Sequence, residues 1–216
     1  MEAVIKVGGS LTETPGSLKA LGCVLRDASK KHCILVVPGG GRFADTVREI
    51  DAKFSLPASI AHRMAILAMD QYGLVLTHVF RSAYSCDLLE EARTFAGEGR
   101  LTVFLPSKLL LQEGPFLPSW SVTSDSITAY LAAKLKASKA VFVTDVDGIY
   151  TEDPANDTSA KLLKKISPPE LLNMGKRTSV DKFLPQFLMK NQLNCYVVNG
   201  KYPERVAAIL SNKQTI

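Results

Sequence analysis

The chain has 216 residues, a net charge of +5, 46% hydrophobic and 22% charged residues, a balance that excludes disordered and fibrous classes and gives enough chain to bury a substantial core. The basic residues are dispersed, adjoining only at Lys30-Lys31, Lys164-Lys165 and Lys176-Arg177, with no aromatic-interleaved basic stripe, so the excess charge points to an anionic small molecule rather than nucleic acid. No apolar run reaches the ~20 residues that span a bilayer, and no signal-type segment opens the chain.

Cys23, Cys33, Cys86 and Cys195 are far apart and form neither a CxxC pair nor a Cys/His spacing suited to zinc. They read as free thiols, with no resident metal, no membrane partner and a reducing cytoplasm as the expected setting.

The first strand is Ala3-Val4-Ile5-Lys6-Val7, an apolar run with one lysine, ending on Gly8-Gly9-Ser10. Adjacent glycines at a strand end can bring bare N–H groups to an anion, and Lys6 supplies full charge nearby. Pro15 then starts a helix through Lys31 carrying Leu18, Leu21 and Leu25. Cys33 to Val37 is a second continuously apolar strand, stopped by Pro38-Gly39-Gly40-Gly41. Arg42 to Ile50 is a helix whose N-terminus faces those glycines.

Pro57 opens a longer helix with Ile60, Met64, Leu67 and Ala68 on one face, interrupted by His62, Arg63 and Asp70. His62 reads either as an exposed helical residue or as a substrate contact. Residues 81–100 are expected to form a weaker helix, Leu101 to Leu105 a strand, and the following segment a loop up to Trp120, which either anchors the core or lines a pocket. Thr123 or Ser124 caps a helix running through Leu135, with Asp125 in its first turn, where the helix dipole alone favours an acid.

Ala140 to Val143 is a further buried strand, running into Thr144-Asp145-Val146-Asp147-Gly148-Ile149-Tyr150-Thr151-Glu152-Asp153-Pro154. Acidic and hydroxyl groups beyond a strand's carboxyl end mark a ligand loop of an open α/β sheet. Short helices from Pro168 and around Phe183 to Leu188, a strand at Cys195 to Val198 and a helix over Pro203 to Leu210 complete the chain. The alternation argues an α/β fold, a three-layer αβα sandwich with a mainly parallel central sheet.

The ordered set KVGGS, VPGGGR, TSDSITAYLA and VTDVDGIYTEDP resembles the amino acid kinase family over nearly the whole chain, and no Walker-type GxxxxGK[ST] is present. The resemblance implies a single domain over 1–216, with the acceptor side mostly in 1–120 and the nucleotide side mostly in 121–216. It implies transfer of the ATP γ-phosphoryl group, with Mg²⁺ accompanying ATP, and a homo-oligomer. Lys6 would stabilise the group in flight, Asp125 would orient the active-site lysines, and Lys182 or Lys176 would be the second lysine, Lys182 being preferred. Gly8, Gly9, Ser10, Asp145, Gly148, Tyr150 and Asp153 would bind ATP; Gly39, Gly40 and Gly41 would lie on the acceptor side.

Departures from the family's better-known branches narrow the acceptor. Asp45 stands where isopentenyl phosphate kinases carry a histidine after the triple glycine, and Pro38 precedes the glycines where acetylglutamate and isopentenyl phosphate kinases usually have histidine. VPGGGRFAD, the Met64 to Gly73 stretch and Thr178 to Lys182 look most like the archaeal branch acting in methanofuran biosynthesis. That likeness implies an acceptor with a phosphate at one end and an ammonium at the other, [5-(aminomethyl)furan-3-yl]methyl phosphate. Arg42 is the expected phosphate ligand and Asp45, or Asp70, the expected ammonium partner. A uridylate-type or isopentenyl-phosphate-type kinase is the alternative enzyme, and a non-catalytic nucleotide- or oxyanion-binding protein the alternative of another class.

Overall fold

The structure, a computed structural model, describes residues 1–175 and 178–213. Its strands are β1 (Ala3–Val7), β2 (Ile34–Pro38), β3 (Tyr84–Cys86), β4 (Thr102–Phe104), β5 (Lys139–Thr144), β6 (Ile149–Tyr150), β7 (Leu162–Leu163) and β8 (Asn194–Asn199). Among the described residues the main sheet runs β3-β4-β2-β1-β5-β8, and every pairing within it is parallel. The helices are α1 (Pro15–Ser29), α2 (Gly41–Phe54), α3 (Ala58–Val79), α4 (Leu89–Gly97), α5 (Ser107–Glu113), α6 (Ser124–Lys134), α7 (Pro168–Asn173), α8 (Leu184–Asn191) and α9 (Pro203–Leu210). None of the described helices is long and apolar enough to cross a membrane.

β1 lies between β2 and β5 and is buried along its whole length, which explains its near-continuous apolar run. Strand alternation then sorts its side chains. Ala3, Ile5 and Val7 pack on Leu18, Leu21 and Leu25 of α1 and on Val206 and Ile209 of α9. Val4 faces the opposite layer, with Ile127 and Leu131 of α6 and Leu184 and Leu188 of α8. Lys6 shares the pleat of Val4, so it is aimed at the α6 layer. Each fully buried large apolar side chain contributes about 1.5–3 kcal/mol, and these two clusters clamp the central strand from both faces.

Residues 81–100 do not form the single helix expected from sequence. Arg81 (φ 41°) and Ser82 (φ 61°) adopt left-handed backbone after α3, and the chain then enters β3 before α4 begins. β3 is a short edge strand with Tyr84 and Ser85 exposed, so it carries no apolar run to announce it. The helix α5 and the strand β6 also lie in segments that read as loop, and β6 pairs antiparallel with β7. α5 is started from a distance: the Ser107 N–H donates to Asp70 Oδ1 at 3.2 Å, and the Ser107 hydroxyl donates to Asp70 Oδ2.

The glycine loops after β1 and β2 touch. The Gly8 N–H donates to the Val143 carbonyl at 2.8 Å, and the Gly39 N–H donates to the Val7 carbonyl at 2.8 Å. A Cβ on Gly9 would stand 2.1 Å from Gly41 Cα, and Gly41 itself has φ +55°. Only glycine permits that approach. Gly9→Ala is therefore expected to lower stability by at least ~1–3 kcal/mol in urea unfolding. Gly16→Ala, where a Cβ meets nothing within 4 Å, is expected to be neutral or to stabilise α1 by about 0.5–1 kcal/mol.

Candidate active site

Because the sheet is parallel, the carboxyl ends of its strands share one edge, and a cavity of about 610 Å³ opens there. The chain leaves β1 for β2 on one side and reaches β5 on the other. That reversal leaves a crevice beyond the central strands, the usual ligand position in open α/β sheets. The cavity's walls are the glycine loops after β1 and β2, the Thr144 to Pro154 loop and the first turn of α6.

At its floor the Lys6 ammonium lies 2.7 Å from Asp125 Oδ1, with both residues buried. Two elements create this contact. Alternation along β1 turns Lys6 toward α6, and the Thr123 side chain, capping α6 by accepting from the Asp125 N–H, places Asp125 in the first helical turn. The second Asp125 oxygen accepts from the Asp181 N–H at 3.0 Å. The carboxylate is thus gripped on both oxygens and can hold the ammonium in one place.

Asp181, like Arg48, lines the cavity but is passed over by the sequence reading. Its Oδ2 accepts from the Thr123 N–H at 2.8 Å, the Thr123 hydroxyl at 3.0 Å and the Ser126 N–H at 3.0 Å. Its Oδ1 accepts from the Ser126 hydroxyl at 2.6 Å and from the N–H groups of Phe183 and Leu184 at 3.1 and 2.8 Å. One buried carboxylate therefore ties the N-terminus of α6 to that of α8. Burial pushes its pKa up, helped by the neighbouring Asp125 charge, while the Ser126 and Thr123 donors pull it back. The signal was present as an aspartate just ahead of an apolar helix; its second role, holding α6, is tertiary.

On the proposed nucleotide side, Gly8, Gly9, Ser10, Asp145, Gly148, Tyr150 and Asp153 all line the cavity. The Thr144 hydroxyl donates to Asp145 Oδ1 at 3.2 Å. Asp147, in the same acidic loop, is spent on structure: its Oδ1 accepts from Arg205 at 2.6 Å and from the Asn199 side chain at 3.0 Å. That latch fastens the loop to β8 and α9 and leaves Asp145 facing the cavity. Asp153 accepts from the Ala155 N–H at 3.0 Å and the Asn156 amide at 2.8 Å, folding its own turn.

On the proposed acceptor side, Gly39, Gly40, Gly41 and Asp45 line the cavity, but Arg42 stands outside it. The Arg42 guanidinium forks onto Glu13 at 2.8 and 3.1 Å, with its side chain 80% exposed, because the turn it occupies at the start of α2 faces the 3-10 turn Gly9–Glu13. Arg48 lines the wall instead. Asp70, engaged with Ser107, does not line it. His62 and Trp120 do, and partial burial lowers the His62 pKa, favouring the neutral imidazole. Lys182 is exposed and borders an adjoining hollow rather than the main cavity, since it is Asp181 that turns inward here. Lys176 lies outside the described residues.

The Lys6–Asp125 contact has a measurable consequence. Removing one partner leaves a buried charge unpaired, which typically costs 3–5 kcal/mol, whereas removing both does not. Lys6→Met and Asp125→Asn are each expected to lower stability by about that amount, and the double variant by clearly less than their sum, as read by denaturant midpoints in a double-mutant cycle.

Comparison with known proteins places this geometry. A model of the amino acid kinase family matches residues 1–199. The [5-(aminomethyl)furan-3-yl]methyl phosphate kinase of Methanocaldococcus jannaschii is 38% identical over 215 residues, covering 99% of this chain and 94% of that protein. The uridylate kinase of Methanosarcina barkeri is 28% identical over 232 residues, covering 99% of this chain and 93% of its own. Among solved structures, uridylate kinase from Archaeoglobus fulgidus superposes with a TM-score of 0.77 at 23% identity, covering 99% of this chain and 97% of its own. Aspartate kinase from Synechocystis does so at 0.69 and 18%, covering 93% of this chain and 38% of its own. The three-layer architecture is that of these kinases, and with a family match running from β1 to the end of β8, the chain belongs to the amino acid kinase family.

Proposed function

We propose that the protein is an ATP-dependent kinase that phosphorylates [5-(aminomethyl)furan-3-yl]methyl phosphate to its diphosphate. The observation that carries the phosphoryl-transfer reading is the Lys6–Asp125 pair, buried at the mouth of two interlocked glycine loops. The acceptor is supported by the relative of that activity, 38% identical over 99% of the chain. In this reading residues 1–120 furnish most of the acceptor side and 121–216 most of the nucleotide side.

An ionised acceptor phosphate needs no general base. Its oxygen attacks the γ-phosphorus while the bond to the β,γ-bridging oxygen breaks, and ADP leaves with that electron pair. The chain's task is to align the two anions and neutralise the charge spread over the equatorial oxygens. Lys6 supplies the positive charge, Asp125 holds it in position, and the N–H groups of Gly9 and Ser10 cradle the phosphates, with Gly8, its own N–H held by the Val143 carbonyl, shaping the turn. Mg²⁺ would arrive on the ATP phosphates, needing at most one or two carboxylates, and Asp145 at the cavity wall suits that habit.

Two further readings belong here. Ile60, Leu67 and Leu74 lie exposed at seven-residue spacing along α3, a seam that supports a homo-oligomer. The four cysteines are free thiols, which supports a reducing cytoplasm. Uridylate phosphorylation is the second reading, favoured by the uridylate kinase relative at 28% identity.

ADP release from ATP-Mg²⁺, measured against the aminomethylfuran phosphate, UMP, isopentenyl phosphate and N-acetylglutamate, separates the possibilities. Turnover is expected with the furan phosphate; turnover with UMP alone would replace the acceptor, and none with any would leave a binding protein. Lys6→Ala is expected to keep ATP binding and lose about 10²–10³ in kcat. An Asp45→Asn enzyme is expected to lose preference for the amine over a des-amino analogue; an unchanged preference would remove Asp45 from ammonium recognition.

A further inference from the structure

The acceptor-side wall holds a charged element that neither the glycine loops nor Lys6 accounts for. Arg48, in the middle of α2, has its guanidinium carbon 4.7 Å from the centre of the Trp120 ring, and its Nη1 donates to Asp45 at 2.8 Å. Trp120 is itself fixed, its indole N–H donating to Asp51 Oδ2 at 2.8 Å. Arg48 and Trp120 border both the main cavity and the adjoining hollow of about 600 Å³. Resting on the phosphoryl-transfer reading above, we propose that Arg48 binds the acceptor's phosphate and that Trp120 holds Arg48 in place and supports the acceptor's flat ring.

Charge requires such a group. Among the described residues lining the main cavity, the lysines and arginines are Lys6 and Arg48. Lys6 is committed to Asp125 at the glycine loops, while a phosphate monoester brings close to two negative charges toward the polyanionic ATP. Arg48 answers that need: a guanidinium has five N–H donors, and the bond to Asp45 at Nη1 leaves a fork able to take phosphate in bidentate fashion. Stacking on an anchored indole holds the fork ready, so less side-chain freedom is lost on binding.

Specificity follows from the neighbours. Asp45, beside the fork, repels an acceptor with a second anionic group and favours one that also carries an ammonium. Trp120 offers an aromatic surface to a planar ring. Arg42 can do neither while it forks onto Glu13 outside the cavity.

Trp120 is the single tryptophan of the chain, so its emission reports on this site without turnover. The intact protein, titrated without ATP by the aminomethylfuran phosphate and separately by UMP, is expected to show a saturable change in Trp120 emission with at least one of them. Arg48→Ala is expected to raise Kd and the acceptor KM by about ten- to a hundredfold, with the KM for ATP held within about twofold. Arg48→Lys keeps the charge without the fork, should fall between, and serves if the alanine variant does not fold. Equal Kd in wild type and both Arg48 variants overturns the assignment, as does a shift that follows Arg42→Ala instead, or failure of both monoesters to bind. Arg48-dependent binding without turnover of any acceptor would sink the kinase reading and leave the anion site standing.

Discussion

The buried pairing of Lys6 with Asp125 is the interaction on which the rest of the site depends. Taking two charges out of water costs several kcal/mol per ion, and attraction offsets this only where geometry is good and the remaining lone pairs are satisfied. The chain meets that condition in layers. The Thr123 cap oxygen, accepting the Asp125 N–H, and the Asp181 N–H hold Asp125, and the Asp181 side chain holds Thr123 and the start of both α6 and α8. A lysine on a central strand is thereby held in one place and open to a cavity, which is what transition-state stabilisation without reorganisation demands.

The glycine loops impose a second constraint of a different kind. Contact between Gly9 and Gly41 is too close for any side chain, so the loops after β1 and β2 are effectively one surface. The Tyr72 hydroxyl, donating to the Gly8 carbonyl at 3.1 Å from α3, secures that surface from behind. Burial raises the phenol's pKa, so it stays a neutral donor. The glycine loops thus line the cavity from a rigid base, and the positive N-terminus of α6 adds its dipole to the same region.

Legibility in the sequence followed burial and periodicity. β1, β2 and β5 announced themselves because a strand covered on both faces must be apolar throughout, and α9 because Pro203 starts it and its apolar face repeats cleanly. β3 did not, being short and on an edge, and α5 did not, because the partner for its first N–H is Asp70, far away in sequence. The same distinction holds in the site. The cavity-lining glycines and Asp145 sit in motifs just past strands, where spacing alone selects them. Arg42 and Arg48 are both arginines of α2, and nothing local separates them; Glu13 on one side and Trp120 on the other do.

By itself, then, the sequence determined the three-layer parallel sheet and the glycine-rich and acidic loops at its carboxyl edge, because these follow from local pattern: apolar runs, glycine turns and helix starts. Tertiary structure alone decided which charges meet. Asp125 became the partner of Lys6 through strand alternation and helix capping acting across 119 positions. Asp181 and Arg48 acquired their places, and Arg42 lost its own, through contacts between elements remote in the chain. The physical reason is that a side chain's period and propensity are set by its neighbours in sequence, whereas its electrostatic partner is set by packing.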